Sequence, residues 1–119
     1  MPRVILIVED DPSLAENLTL ALSLLPDSEV LVAWDGAQGR LLFPRADALC
    51  TDLDLPRVHG EVLIAEFRQL KPHAPIIAMS ASPGLNIDER VRALGADIFF
   101  HKPYSTLKVR DTLKGLLDA

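Results

Sequence analysis

Acidic residues, one hydroxyl and one lysine follow four separate apolar runs of the chain. They are Glu9, Asp10 and Asp11, then Asp52 and Asp54, then Ser80, and finally Lys102. Taken alone, Asp52 could be a metal ligand, a nucleophile or the N-cap of a helix. The whole set favours phosphoryl transfer. Carboxylates can bind Mg²⁺, an ionised carboxylate can accept a phosphoryl group, and a lysine and a hydroxyl can bind phosphoryl oxygens.

The apolar runs indicate the elements that must position these side chains. Runs with β-branched residues cover 3–8, 30–34, 48–51, 75–80 and 97–100, with Asp52 and His101 closing the third and fifth strands. The stretches between them have helical spacing and predict helices from Pro12 to just before Pro26, then over 37–43, 58–70 and 87–94, and from Ser105 onward. The chain therefore alternates strand and helix five times.

This alternation predicts an α/β fold with a parallel sheet and helices on both faces. Every strand then directs its carboxyl end to the same edge, where ligands gather in open α/β sheets. We therefore expect the side chains that follow the strands to converge there. Because carboxylates repel one another at close range, the metal and Lys102 must offset their charge.

Composition narrows the possible partners and location. The 119 residues suit one domain, 1–119, and the net charge of −5 argues against a general nucleic-acid or membrane-surface binder. The N-terminal apolar run is too short for a signal peptide or a membrane span, so we expect a cytoplasmic protein. The single cysteine, Cys50, lies in an apolar run and is expected to be buried and unreactive.

The set Glu9-Asp10, Asp52, Ser80 and Lys102-Pro103 resembles the receiver domains of two-component response regulators, the CheY-like superfamily. The resemblance covers essentially the whole chain. It extends to Leu55-Pro56 and Gly60 after Asp52, to Gly95-Ala96 before the fifth strand, and to Phe99 three residues before Lys102. It implies a flavodoxin-like doubly wound (βα)₅ fold with a five-stranded parallel sheet in the order 2-1-3-4-5, an order for which a chemotaxis receiver is a standard example.

The resemblance also implies a role for each residue of the set. Asp52 matches the phosphoacceptor, and Glu9, Asp10, Asp52 and the backbone carbonyl of Asp54 match the ligands of Mg²⁺. Ser80 matches the switch hydroxyl, Lys102 the family's lysine and Phe99 the switch aromatic. The Lys102-Pro103 bond is expected to be cis.

The implied function is a phosphorylation-dependent switch. A sensor histidine kinase or a histidine phosphotransfer protein supplies the phosphoryl group. The fourth helix, fifth strand and fifth helix, about 88–117, would contact an output partner or a second copy of the chain, with no direct nucleic-acid or membrane contact. Such a domain catalyses only its own phosphorylation and dephosphorylation and is not otherwise an enzyme.

Three features depart from the family pattern. The segment between Gly36 and Asp52 is short, so we expect a frayed second helix or a loop. Asp54 adds a negative charge beside the site, and together with Ser82 it predicts an altered phosphoryl lifetime of undetermined sign. Phe99 replaces the more common tyrosine, which keeps the bulk but loses the hydroxyl.

Two other functions fit part of the pattern. Asp52-Leu53-Asp54 also resembles the opening motif of haloacid-dehalogenase-type phosphatases, although in that family the acidic pair comes last and here it comes first. A pseudo-receiver would have the same fold but act as an interaction module without phosphorylation. No catalytic position is missing from this sequence, which argues against that second alternative.

Overall fold

Five parallel strands form the centre of the protein. A computed structural model describes residues 1–81 and 84–119. The strands are β1 (Arg3–Val8), β2 (Ser28–Ala33), β3 (Ala48–Asp52), β4 (Ile76–Ser80) and β5 (Ile98–His101). They pair in parallel in the order β2-β1-β3-β4-β5, which confirms the predicted doubly wound flavodoxin-like fold.

A helix follows each strand. The helices are α1 (Pro12–Leu22), α2 (Gly36–Leu42), α3 (Gly60–Leu70), α4 (Ile87–Leu94) and α5 (Thr106–Asp118), and a short 3₁₀ helix (Phe43–Arg45) follows α2. Among the described residues, no helix is long and apolar enough to cross a membrane.

Alternating side chains of the sheet form two hydrophobic clusters, one on each face. One cluster includes Leu6 and Leu49 with Phe67 of α3, and the other includes Ile5 and Ile7 with residues of α1 and α5. This is the two-residue period of a strand that is covered on both sides. Every residue of β3 and β4 is buried, so the packed core fixes the carboxyl ends of these two strands.

Two helix boundaries differ from the sequence prediction by more than one residue. The first helix ends at Leu22, three residues early, because tight turns follow in which the N–H groups of Leu24 and Leu25 bond to carbonyls three residues back. The Ser28 hydroxyl then donates to the Leu25 carbonyl, and β2 begins at Ser28. The third helix begins at Gly60 rather than Val58, with His59 as its N-cap.

The second helix is short, as expected, but it is neither frayed nor replaced by a loop. The Asp35 side chain caps its N-terminus by accepting a hydrogen bond from the Gln38 N–H. The seven residues Gly36–Leu42 then continue directly into the 3₁₀ helix. Asp11 caps α1 in the same way. An N-cap carboxylate bonds N–H groups of the first turn that otherwise lack a partner.

Candidate functional site

The carboxyl ends of β1, β3, β4 and β5 bring the predicted residues together at one edge of the sheet. Asp52 and Ser80 are the last residues of β3 and β4, whereas Glu9 and Lys102 directly follow β1 and β5. Backbone bonds extend the sheet through this edge, since the Lys102 N–H donates to the Ser80 carbonyl at 2.9 Å. Glu9 is fully buried, and Asp52 and Ser80 are only 4% and 1% exposed.

One ammonium group pairs with two buried carboxylates. Lys102 Nζ lies 2.9 Å from Glu9 Oε2 and 3.1 Å from Asp52 Oδ2. Burial raises the pKa of Glu9; the Lys102 hydrogen bond opposes that rise, and the charge of Asp52 adds to it. Burial alone would lower the pKa of Lys102, but its bonds to Glu9 and Asp52 and their charges raise it. Lys102 therefore stays charged and offsets the repulsion between the two acids.

Glu9, Asp10 and Asp52 form a group of carboxylates that could hold a metal ion. One oxygen from each lies within 4.8 Å of the others. Asp10 is exposed, so the group opens to solvent on one side. Carboxylate oxygens are hard ligands of the kind that Mg²⁺ prefers. The Glu9 and Asp52 oxygens that bond Lys102 keep further lone pairs that could bind a metal ion. The residues present therefore fit a magnesium ion.

The side chain of Asp54 contacts the predicted switch hydroxyl. Ser80 Oγ donates a hydrogen bond to Asp54 Oδ2 at 3.0 Å, and the Asp54 N–H lies 3.2 Å from Asp52 Oδ1. The sequence suggested only the backbone carbonyl and the charge of Asp54, so this contact was missed. Asp54 follows β3 and Ser80 ends the adjacent strand β4, so both lie at the same edge of the sheet, which was the available signal. Ser82, the other residue expected to affect phosphoryl lifetime, lies outside the described residues.

Gly60 allows α3 to begin directly against the end of β3. A Cβ atom at this position would lie 2.3 Å from the Asp52 carbonyl oxygen and 2.6 Å from Leu53 Cα. The Gly60 N–H also donates to the Leu53 carbonyl at 3.1 Å. Only glycine fits this approach, which explains the residue eight positions after Asp52.

Phe99 lies in β5. It pairs with Ala78 of β4, is partly buried, and packs against the cluster that contains Val91 of α4. Phe99 therefore packs on the face of the sheet that α4 covers. The Lys102-Pro103 bond is cis, as expected.

The family model described as the response regulator receiver domain matches residues 5–114. The chain belongs to the response regulator receiver domain family. It is therefore a signalling domain, and the acidic cluster of Glu9, Asp10 and Asp52 fits the phosphorylation site of such a receiver.

Two curated relatives are bacterial proteins that are longer than this receiver domain. The sensor histidine kinase TmoS of Ectopseudomonas mendocina is 33% identical over 120 residues, which cover 98% of this chain and 12% of the kinase. The transcriptional regulatory protein QseB of Escherichia coli O157:H7 is 32% identical over 119 residues, which cover 95% of this chain and 52% of QseB. The receiver domain thus spans about half of QseB and a small part of TmoS.

A solved structure shows the same fold. The response regulator receiver domain protein (CheY-like) from Methanospirillum hungatei JF-1 superimposes with a TM-score of 0.90, covering 99% of this chain and 95% of that one. Its sequence identity is 23%, so this likeness supports the fold alone.

Proposed function

We propose that this receiver domain accepts a phosphoryl group on Asp52 from the phosphohistidine of a sensor histidine kinase or a histidine phosphotransfer protein. The observation that carries the proposal is the Lys102 ammonium group shared by Glu9 and Asp52, at the edge where Asp10 also lies. The proposed unit is one domain, residues 1–119, that acts in the cytoplasm. It acts on its own phosphorylation state and on no other substrate.

The transfer forms one bond and breaks one. An oxygen of the ionised Asp52 carboxylate attacks the phosphorus, the phosphorus–nitrogen bond breaks, and the imidazole leaves with the electron pair. Asp52 suits this role because Lys102 holds its carboxylate in place within a buried network. A positioned nucleophile avoids much of the entropic cost of a reaction between two molecules.

Glu9, Asp10, Asp52 and the backbone carbonyl of Asp54 would hold Mg²⁺. The ion supplies positive charge to the phosphoryl oxygens when bound. The residues prepare the site for that charge, since Glu9 and Asp52 are buried and Lys102 neutralises them only in part.

The phosphorylated state would be read through Lys102, Ser80 and Phe99. Lys102 already faces Asp52 and can bind a phosphoryl oxygen without crossing the site. The Ser80 hydroxyl can donate to another oxygen, and Phe99 moves inward into the space that the hydroxyl leaves. Phosphorylation shifts the population towards this arrangement only to the extent that the phosphate binds it more tightly.

The output surface is formed by α4, β5 and α5, which follow the switch hydroxyl in the chain. It would contact an output protein or a second copy of this chain, with no direct nucleic-acid or membrane contact. The exposed charges of α4 and α5, such as Glu89 and Lys108, suit a polar protein interface.

A small phosphodonor tests the proposal without a partner kinase. Native protein, Asp52→Asn and the surface control Asp111→Asn are incubated with phosphoramidate and Mg²⁺, and their intact masses are measured. We expect one phosphoryl group on the native protein and on Asp111→Asn, none on Asp52→Asn, and none anywhere in the presence of a chelator. The control makes the same chemical change at an exposed residue of α5.

Two results would support the other functions instead. A native protein that takes up no phosphoryl group would point to a pseudo-receiver. Repeated hydrolysis of a phosphomonoester would point to a phosphatase of the haloacid-dehalogenase type, for which Asp52-Leu53-Asp54 provides the motif.

A further inference from the structure

We propose that Asp54 is a positioning residue whose side-chain carboxylate holds the Ser80 hydroxyl away from the phosphoryl position until Asp52 is phosphorylated. This inference rests on the proposed function and adds a specific competitor for the switch hydroxyl. The contact is direct, because Ser80 Oγ donates to Asp54 Oδ2 at 3.0 Å.

The two partners differ in their freedom to move. Ser80 ends the buried strand β4 and is 1% exposed, so its hydroxyl can reorient only locally. Asp54 lies in the loop after β3 and is exposed, although its N–H group is tied to Asp52 Oδ1 at 3.2 Å. Asp54 is therefore the partner that can withdraw, and its backbone keeps it beside Asp52.

A hydroxyl has one proton to donate. While Ser80 donates that proton to Asp54, it cannot donate it to a phosphoryl oxygen on Asp52. A hydrogen bond to an ionised carboxylate is stronger than one to a neutral acceptor, so breaking it opposes the switch. The Asp54 side chain thus stabilises the arrangement that precedes phosphorylation.

Phosphorylation would weaken this contact by charge. A phosphoryl group on Asp52 places negative charge near the Asp54 carboxylate and so repels it. The same group offers Ser80 another charged acceptor. The repulsion of Asp54 and the new acceptor therefore both favour a hydrogen bond from Ser80 to the phosphoryl group. By thermodynamic linkage, a variant that lacks the Asp54 contact should bind a phosphoryl mimic more tightly.

Beryllofluoride, a mimic of the aspartyl phosphate, allows a double-mutant cycle. Its affinity in saturating Mg²⁺ is measured by fluorine NMR for the native protein, Asp54→Ala, Ser80→Ala and the double variant. We expect Asp54→Ala to tighten binding about three- to tenfold when Ser80 is present, since a hydrogen bond to an exposed charged group contributes on that order. Without Ser80, only the smaller effect of the lost charge should remain.

Asp54→Asn separates charge from hydrogen bonding. It removes the negative charge but keeps a side-chain oxygen that can accept from Ser80, so its affinity should lie between those of the native protein and Asp54→Ala. A fluorine label at Phe99 gives a second measurement without any mimic. In Asp54→Ala its resonance should lie part of the way towards the position seen with beryllofluoride.

The possible failures are distinct. Equal effects of Asp54→Ala with and without Ser80, or an unmoved Phe99 resonance in mimic-free Asp54→Ala, would overturn the role of Asp54 and leave the proposed function standing. A native protein that binds no beryllofluoride in Mg²⁺ would instead refute the proposed function, and this inference with it.

Discussion

Lys102 Nζ lies 3.1 Å from Asp52 Oδ2, although the two residues are 50 positions apart in the chain. The same nitrogen lies 2.9 Å from Glu9 Oε2. The lysine is therefore part of the resting site as well as a candidate ligand of the phosphoryl group. Its removal should affect both the stability of the protein and its response to phosphorylation.

Lys102→Ala should destabilise the metal-free protein in a pH-dependent way. It leaves two buried carboxylates without their cation, a loss of roughly 3 kcal/mol at pH 7 in the free energy of unfolding. Burial raises the pKa of Glu9, so Glu9 takes up a proton in the folded protein before it does so in the unfolded chain. The loss should therefore shrink as the pH falls through the folded pKa of Glu9.

Urea unfolding at neutral and mildly acidic pH measures this difference. Lys108→Ala is the control, because Lys108 is an exposed lysine at the start of α5. A Lys102→Ala variant with the same deficit at every pH would contradict the role given to Glu9.

With Mg²⁺ and beryllofluoride, Lys102→Ala should still bind metal, but the environment of Phe99 should not change. A normal Phe99 response would refute the coupling role of Lys102.

A pair of glycine substitutions tests the packing of α3 against β3. Gly60→Ala places a Cβ atom 2.3 Å from the Asp52 carbonyl oxygen. It should lower the free energy of unfolding by about 1–3 kcal/mol or more. Gly115→Ala, within α5, meets no atom within 4 Å and should stabilise the protein by up to about 1 kcal/mol. Thermal unfolding of both variants measures this contrast. Equal effects would show that the contact at Gly60 is not tight.

The buried thiol of Cys50 should make stability fall at high pH. Burial raises the pKa of Cys50 to about 12. In the unfolded chain the thiol ionises near pH 8.5, so its stabilising contribution is complete below that pH and is lost as the pH rises towards 12. Over this range the free energy of unfolding should fall more steeply with pH in the native protein than in Cys50→Ala, by up to about 1.4 kcal/mol per pH unit. Plots of the free energy of unfolding against pH that run parallel for the two proteins would contradict this prediction.

The sequence predicted the elements best where local chemistry marks both of their ends. α4 has the predicted bounds, and Gly95 ends it with a φ of +124°, which favours glycine. The end of α1 was placed too late, because leucine spacing continues through Leu25 although the backbone has already turned. Apolar periodicity reports burial, and buried residues also occur in the turn after a helix.

The site was predictable as a set of residues but not as a network of contacts. Parallel strands place their carboxyl ends at one edge, so the convergence of Glu9, Asp52 and Lys102 follows from topology. The bond between Ser80 and Asp54 depends on the path of the loop after β3. Nothing in the spacing of Asp52 and Asp54 indicates where that loop directs the second carboxylate.

The most direct test of the central claim is the location of the phosphoryl group within the chain. The protein is treated with phosphoramidate and Mg²⁺, reduced with borohydride, which converts an aspartyl phosphate to homoserine, and digested for peptide mass spectrometry. The proposed function predicts homoserine at position 52 and an unchanged aspartate at position 54. Modification at Asp54 or at another acid, with Asp52 intact, would contradict it.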